Sequence, residues 1–188
     1  MEFMPNEIIG EKIVLRALTN PTFELATQFW NLRRENTEFF SEFESVTLNP
    51  PEKVFGWFTN IANWRGGQVY YFIYVDNKMV GVVNIFNYNK KHRQCEIGRS
   101  LAKSESGKGY MREALQLLER AMWDGGVVKI ISHTDMKNER AISGLQKAGY
   151  QLEGVLKKDY YLESRGEFRD WVRYAKINLD NAAKVESE

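Results

Sequence analysis

The chain has 188 residues, of which 43% are hydrophobic and 27% are charged, and its formal net charge is +1. A chain of this length fits one domain and can bury roughly 70% of its unfolded surface without disulfides or metals. The balanced charge argues against a nucleic-acid partner. The most apolar run, Val69 to Val75, is too short to span a membrane.

The N-terminal segment and the cysteine content bear on the compartment. Residues 1–12 contain three glutamates and no long apolar stretch, so no signal peptide is predicted. Cys95 is the only cysteine, which excludes an intrachain disulfide and fits a reducing environment. We therefore expect a soluble, cytoplasmic protein.

The first half of the chain predicts strands and two early helices. A strand is expected from Lys12 to Leu18. Asn20-Pro21 then begins a helix, because proline is tolerated at the first helical position. Pro50-Pro51 begins a second helix, which Gly66-Gly67 ends.

Three further strands follow. The β-branched and aromatic run from Val69 to Val75 predicts a strand, Asp76-Asn77-Lys78 a tight turn, and Met79 to Phe86 the returning strand of a hairpin. Another strand is expected from Gln94 to Leu101.

The second half alternates helices and strands. A helix that follows a Gly-x-Gly runs to about Asp124 and ends at Gly125-Gly126. A strand from Val127 to Ser132, a helix from about Asn138 to Ala148, and two strands around Ser164-Arg165-Gly166 complete the order. Early hairpins imply antiparallel pairing, and the strand–helix–strand unit implies a parallel pair with a right-handed crossover. The fold class is therefore a mixed α/β sheet with helices packed on it.

The segment with most chemical meaning is Ser106-Gly107-Lys108-Gly109-Tyr110-Met111-Arg112. Glycines at the start of a helix let a ligand approach bare backbone, and the first helical turn offers unpaired N–H groups and partial positive charge. Together these features predict a phosphate seat. A Walker loop is absent, and Arg112 stands where a dinucleotide fingerprint needs its third glycine.

Five motifs occur in one order along the chain, namely Glu96-Ile97-Gly98, Gly107-Lys108-Gly109-Tyr110-Met111, Asn138-Glu139-Arg140-Ala141, Lys147-Ala148-Gly149-Tyr150 and Glu153-Gly154. This ordered set resembles the GNAT acyl-CoA N-acyltransferase superfamily, and most of all its Rim-type branch of ribosomal-protein N-terminal acetyltransferase-like proteins. The resemblance covers about residues 8–178 of a single domain over 1–188. It implies a largely antiparallel twisted sheet with a splayed parallel pair and flanking helices.

The same resemblance implies a donor site for acetyl-CoA. Backbone amides of residues 107–111 would wrap the pyrophosphate, and the main chain of Arg99 and Leu101 would pair with the pantetheine arm. Asn138 would hydrogen-bond near that arm, although it could also simply cap its helix. The residues implied in binding the cosubstrate are Arg99, Leu101, Ser106, Gly107, Lys108, Gly109, Tyr110, Met111, Arg112, Asn138 and Lys147. Of these, Lys108, Arg112 and Lys147 are the candidates to meet phosphate charge.

The catalytic assignments are fewer. Glu96 is the best candidate to deprotonate an amine, through water, and its alternative is a paired structural glutamate. A backbone N–H between Ile97 and Leu101 would stabilise the oxyanion. Leu145 stands where many relatives have a tyrosine acid, and Ala141 where Rim-type relatives often have serine. The remaining candidate acids are Ser143, Tyr160 and Tyr161.

Two other positions depart from the family pattern. Ser106 stands where the superfamily usually has glutamine or arginine, and Arg99 stands where an aromatic residue often follows Glu-Ile-Gly. No metal site is expected, because His92 and His133 are lone and widely separated.

Several functions fit this pattern. The leading one is acetyl transfer to a primary amine, with a protein N-terminus as the first acceptor. A polyamine is the second acceptor, since Glu35, Glu38, Glu42 and Glu44 form an acidic run, although a solvated helix-and-loop face is the favoured interpretation of that run. A CoA-binding module without catalysis is the alternative of another class. The resemblance also implies a homodimer.

Overall fold

The structure is a computed structural model that describes residues 1, 3–63 and 68–187. Its strands are β1 (Glu7–Ile9), β2 (Val14–Ala17), β3 (Val69–Val75), β4 (Lys78–Asn89), β5 (Gln94–Leu101), β6 (Lys129–Asp135), β7 (Gln151–Leu162) and β8 (Glu167–Ile177). Its helices are α1 (Phe23–Glu35), α2 (Thr37–Phe40), α3 (Pro51–Asn63), α4 (Tyr110–Asp124), α5 (Glu139–Lys147) and α6 (Leu179–Glu186).

The described strands form one sheet in the order β1-β2-β3-β4-β5-β6-β8-β7. The pairing is antiparallel except between β5 and β6, which are parallel and joined through α4. The predicted mixed sheet with a crossover unit is therefore confirmed. None of the described helices is both long enough and apolar enough to cross a membrane.

Apolar residues cover the sheet on both faces. On one face, Leu115 and Leu118 of α4 pack with Ile85 and Ile97 from the central strands. On the other, α1 and α3 pack against β3 and β4 around Phe58 and other buried residues. Alternation along each strand supplies both cores, because successive side chains point to opposite faces.

The feature that positions the site is a gap between the two parallel strands. β5 and β6 pair only where Gln94–Glu96 lies beside Lys129–Ile131. Beyond that point β5 stays with β4 as far as Leu101, whereas β6 stays with β8 as far as Asp135. The two strands therefore part in the middle of the sheet and leave backbone edges facing each other without a ladder.

Several predicted elements match closely. The structure has β3 and β5 at their predicted bounds, and α4 ends at Asp124 with Gly125 as its C-cap. Gly149 follows α5 with φ +88°, a backbone conformation that suits glycine. The turn between the last two strands also lies where it was predicted.

Among the predicted boundaries that differ from the structure, two have a clear physical reason. Pro21 does not start α1, because Thr22 is the N-cap and its side chain accepts a hydrogen bond from the Leu25 N–H at 3.1 Å. The strand predicted from Val127 to Ser132 is instead Lys129–Asp135, since the Val127 N–H still bonds the Met122 carbonyl at the end of α4.

Three short elements, β1, α2 and α6, were not predicted. Each is eight residues or shorter and carries little periodicity for a prediction to use. The predicted helix end at Gly66-Gly67 lies outside the described residues.

Candidate active site

The start of α4 is built to receive a ligand. Gly107 and Gly109 have φ values of +82° and +88°, which favour glycine, and the space around both is open. Gly109 is the N-cap of α4, and no side chain caps it. Among the hydrogen bonds of the described residues, none uses the backbone N–H groups of 107–112 as donors. A cluster of free donors therefore points outward at a helix N-terminus, as an anion requires.

The backbone of β5 faces the gap with alternate residues. The Ala102 N–H donates to the Val80 carbonyl on the β4 side, and the Ile97 carbonyl accepts from the Ser132 hydroxyl on the β6 side. By this alternation the N–H and C=O groups of Arg99 and Leu101 point into the gap, where β6 offers them no ladder partner. The main-chain contact of Arg99 and Leu101 with a ligand stays a prediction, which these unpaired groups allow.

The side chain of Arg99 crosses the same gap. Its Nη1 donates to the Ser132 hydroxyl on β6 at 2.7 Å, and its Nη2 donates to the Ala141 carbonyl on α5 at 3.2 Å. Burial lowers the pKa of the Arg99 guanidinium to about 10, with a smaller opposing effect of Tyr150. The group therefore remains positively charged at neutral pH, between β5 and α5.

The other residues predicted for the donor site lie in different surroundings. Asn138 caps α5, since its Oδ1 accepts from the Ala141 N–H at 3.1 Å, and its amide NH₂ donates to none of the described residues. Lys108 forms an exposed ion pair with Glu105 at 2.8 Å, and the hydrogen bond to Glu105 raises the pKa of Lys108. Lys147 lies at the opposite end of α5 from Asn138.

Ser106, Met111 and Arg112 surround the Gly-x-Gly loop. Ser106 precedes it, and its hydroxyl donates to the Ala102 carbonyl at 3.4 Å. Met111 packs against the core, and Arg112 is exposed in the first turn of α4. Of the side chains predicted to bind phosphate, Arg112 lies in the first turn of α4, beside the unpaired N–H groups. It forms no ion pair with any described residue.

Glu96 lies at the last ladder position before β5 and β6 part. Asn87 donates its Nδ2–H to Glu96 Oε1 at 3.1 Å, and His133 Nδ1 lies 3.2 Å from Glu96 Oε2. The carboxylate is thus oriented from both sides, and its side chain remains partly exposed. A partly solvated, oriented carboxylate suits proton transfer better than a fully buried structural one.

His133 is the functional candidate that the sequence did not predict for the site. It stacks on Trp171 at 6.1 Å between ring centroids, and Trp171 stacks on Tyr160 at 4.8 Å. The Tyr160 oxygen accepts a hydrogen bond from the Ser45 N–H at 2.6 Å. These contacts link Glu96 to the segment after α2. Only the strand register reveals them, because His133 is separated by many residues from each of its partners.

The positions at which relatives carry an acid hold none here. Leu145 is fully buried in the core at 0% exposure, and Ala141 offers only its backbone. Tyr161 packs on Phe168 at the exposed end of the β7–β8 hairpin. The hydroxyl of Tyr160 is engaged with Ser45, as described above.

The acidic run predicted as a polyamine site does not converge. Glu44 forms an ion pair with Arg33 at 2.8 Å. Glu35 lines one cavity near the end of α1, and Glu42 lines another near Lys137. The carboxylates therefore face different surroundings.

The comparisons with known proteins agree with this geometry. The model of the acetyltransferase (GNAT) domain family matches residues 12–151. The chain therefore belongs to the GNAT acetyltransferase family. Ribosomal-protein acetyltransferases occur among both its curated relatives and its structural neighbours, in line with the predicted Rim-type branch.

Two curated relatives illustrate the range of the family. The chain is 27% identical over 159 residues to the probable N-acetyltransferase YjcK of Bacillus subtilis, covering 80% of this chain and 87% of YjcK. It is 26% identical over 99 residues to the spermidine N(1)-acetyltransferase of Escherichia coli, covering 52% of each chain. The second match thus spans about half of the relative's length.

Solved structures share the fold. The microcin C7 self-immunity acetyltransferase MccE, in complex with acetyl-CoA and AMP, superposes with a TM-score of 0.83 at 23% identity, covering 94% of this chain and 98% of MccE. The ribosomal-protein-S5-alanine acetyltransferase of Vibrio fischeri gives a TM-score of 0.83 at 22% identity, covering 93% and 97%.

Proposed function

We propose that this N-acetyltransferase uses acetyl-CoA and transfers the acetyl group to the α-amino group of a protein N-terminus. The observation that carries the donor assignment is that the unpaired backbone of the gap lies along the carboxyl half of β5, and that α4, with its unpaired N–H groups, begins shortly after β5 ends. A long ligand with a pyrophosphate and an amide-bearing arm satisfies both sets of donors at once.

Each part of the donor site has a defined task in this proposal. The N–H groups of 107–111 bind the pyrophosphate, and Arg112 adds positive charge beside them. The main chain of Arg99 and Leu101 pairs with the amide-bearing arm as an added strand would. Asn138 donates its free amide N–H to the same arm. Acetyl-CoA supplies the activated acetyl group.

The reaction forms a carbon–nitrogen bond and breaks a carbon–sulfur bond. Glu96 accepts the proton of the attacking amine, directly or through one water, while Asn87 and His133 hold the carboxylate in place. A backbone N–H of β5 that points into the gap donates to the carbonyl oxygen as that oxygen gains charge. The electron pair of the broken bond leaves on the sulfur.

We take a cavity close to the carboxyl end of β6 as the acceptor surface, and its charges favour a peptide over a polycation. This cavity of about 320 Å³ between the segment after α2 and the β7–β8 hairpin is lined by Glu42, Phe43, Lys137, Arg165, Glu167 and Arg169. Three cations and two carboxylates do not make a surface that selects a polyamine. An α-amino group, with a pKa of roughly 7.7–8.0, also needs a weaker base than an amine near ~10.4.

Spermidine is the second candidate acceptor, because a curated relative is a spermidine N(1)-acetyltransferase. The two acceptors are separated by measuring CoA release with short peptides that begin with Ala or Ser and with spermidine. We expect kcat/KM to be at least about tenfold higher for a peptide, a difference of about 1.4 kcal/mol. The same peptides with a blocked N-terminus are the control. Equal or faster turnover of spermidine would contradict the N-terminal assignment.

A further inference from the structure

We propose that the guanidinium of Arg99 is a catalytic residue that stabilises the CoA thiolate as it leaves. This role rests on the proposed function, because it assigns a group to the sulfur end of the donor site. It is separate from the backbone contact of Arg99 and concerns only the side chain.

Position is the first argument. Arg99 stands on β5 three residues beyond Glu96, where the ladder with β6 has ended. Its side chain reaches across the gap to Ser132 on β6 and to the Ala141 carbonyl on α5. An amine attacking beside Glu96 requires the scissile bond to lie at the point where the strands part. In this proposal the guanidinium, held between β5, β6 and α5, faces the departing sulfur.

Charge is the second argument. Both hydrogen-bond partners of Arg99 are neutral, and among the described residues no carboxylate forms an ion pair with it. A guanidinium has five N–H donors, and two hydrogen bonds from it are made to the described residues. Within the described part of the chain, this partly buried cation thus keeps unneutralised charge and further N–H donors. An anion that forms in the gap would satisfy them.

The titratable groups around Arg99 leave its charge in place. Burial, and to a smaller extent the nearby Glu119, raises the pKa of Tyr150 well above its usual value, so this hydroxyl stays neutral. Burial, and to a smaller extent the charge of Glu96, raises the pKa of Cys95 to about 12, so the Cys95 thiol on the same strand is neutral too. Glu119 of α4 is paired with Lys176 of β8 at 2.6 Å. Glu96 itself lies on the opposite face of β5.

The chemistry needs such a group. Cleavage of the carbon–sulfur bond leaves an electron pair on sulfur, and neither Leu145 nor Ala141 has an acidic side-chain proton to donate to it. Arg99 stabilises that anion by hydrogen bonding and charge without losing its own proton, and the thiolate is protonated afterwards from solvent. Preorganised donors of this kind are worth about 10²–10³ in kcat.

The direct test is a titration of CoA bound to the protein, followed by the ultraviolet absorbance of the thiolate. We expect the pKa of the bound thiol to lie at least about one unit below that of free CoA, because a nearby positive charge favours the anion. The Arg99→Met variant should lose this shift, and Arg99→Lys should retain part of it. With acetyl-CoA, Arg99→Met should lower kcat about 10²–10³-fold and change KM by no more than about threefold.

Arg120→Met is the matched control, because Arg120 is an exposed arginine on α4 outside the site. An unshifted thiol pKa in the unmodified protein would overturn the proposal without any variant. An equal shift in the unmodified protein and in Arg99→Met would also overturn it. A variant that loses kcat only in proportion to folded protein would assign Arg99 a purely structural role. Failure of the unmodified protein to bind CoA would contradict the proposed function instead.

Discussion

At the scale of single residues, the site depends on how two charged side chains are held across one strand. Glu96 is oriented by Asn87 and His133 on one face of β5, and Arg99 is anchored by Ser132 and Ala141 on the other. A carboxylate and a cation thus lie on either side of the point where the sheet opens. In the proposed mechanism, this arrangement gives the nucleophile and the leaving group separate partners.

Replacing Glu96 by glutamine tests the proton acceptor. Glutamine keeps the size of the side chain but cannot take a proton from the amine. We expect kcat to fall about 10²–10⁴-fold, with KM for acetyl-CoA nearly unchanged. Steady-state kinetics across a pH range measures this.

Glu153→Gln is the control for that substitution. Like Glu96, Glu153 is a carboxylate with basic partners on the same sheet, and it forms ion pairs with Lys129 at 2.6 Å and Arg173 at 3.1 Å. The exposed fraction of its side chain, 29%, is close to the 24% of Glu96. Its loss should leave kcat within about twofold, because surface ion pairs contribute little. Full activity and an unchanged pH profile in Glu96→Gln would exclude Glu96 as the base.

Cys95 gives a second prediction at this scale. Its thiol is fully buried 3.5 Å from the Met122 sulfur, and burial raises its pKa to about 12. Because the thiolate is the reactive form, the folded protein should not react with a thiol reagent at pH 8. One equivalent should react after unfolding in denaturant. Rapid reaction of the native protein would show that the strand opens or that the burial is wrong.

At the scale of elements, the site arises where three of them meet. β5 leaves β6 after Glu96, α4 begins at Gly109 with its N–H groups free, and α5 begins at the Asn138 cap. Each element is ordinary by itself. Where they meet, a candidate anion-binding site at the start of α4 lies beside the unpaired strands of the sheet.

The Gly109→Ala substitution tests the anion seat. Alanine at φ +88° costs about 1–2 kcal/mol in the left-handed region, although the surrounding space is open. The loop should therefore rearrange, lowering the free energy of unfolding by up to that amount and the affinity for acetyl-CoA at least about tenfold. Thermal unfolding and titration calorimetry measure the two effects.

Gly56→Ala is the matched control in that experiment. Gly56 lies within α3 with nothing near its added methyl group, so alanine should stabilise the helix by about 0.5–1 kcal/mol and leave acetyl-CoA binding unchanged. If Gly109→Ala bound acetyl-CoA as tightly as the unmodified protein, the loop would not be the pyrophosphate site.

The elements also show what the sequence could and could not predict. Strong periodicity and the positions of the glycines predicted β3, β5 and α4 well, and the strand–helix–strand order predicted the parallel pair. Contacts between strands could not be predicted from the sequence. His133 meets Glu96, and Trp171 meets Tyr160, only because of the strand register. The reach of the Arg99 side chain to α5 was likewise invisible in the linear chain.

At the scale of the whole molecule, one sheet is stabilised by separate apolar cores on its two faces and opened at its centre. The opening leaves backbone donors and acceptors of β5 unpaired in the middle of the fold. Those groups form better hydrogen bonds when a ligand lies between the strands. Ligand binding should therefore stabilise the entire fold rather than one loop.

This stabilisation can be measured as a rise in Tm. At a ligand concentration of about 100 Kd, binding to the folded state alone contributes about 2.7 kcal/mol. For a chain of this size that corresponds to a rise of roughly 5–10 °C. A scan with and without acetyl-CoA checks it, with adenosine as the control that lacks the pyrophosphate and the arm. An unchanged Tm at saturating acetyl-CoA would mean that the gap stays unfilled.

The central claim is that the gap and the α4 N-terminus together bind acetyl-CoA. Titration calorimetry of the unmodified protein with acetyl-CoA tests it most directly. The account predicts saturable binding of one molecule per chain, with a Kd below about 1 mM, equivalent to at least about 4.1 kcal/mol. The absence of any saturable heat up to that concentration would contradict it.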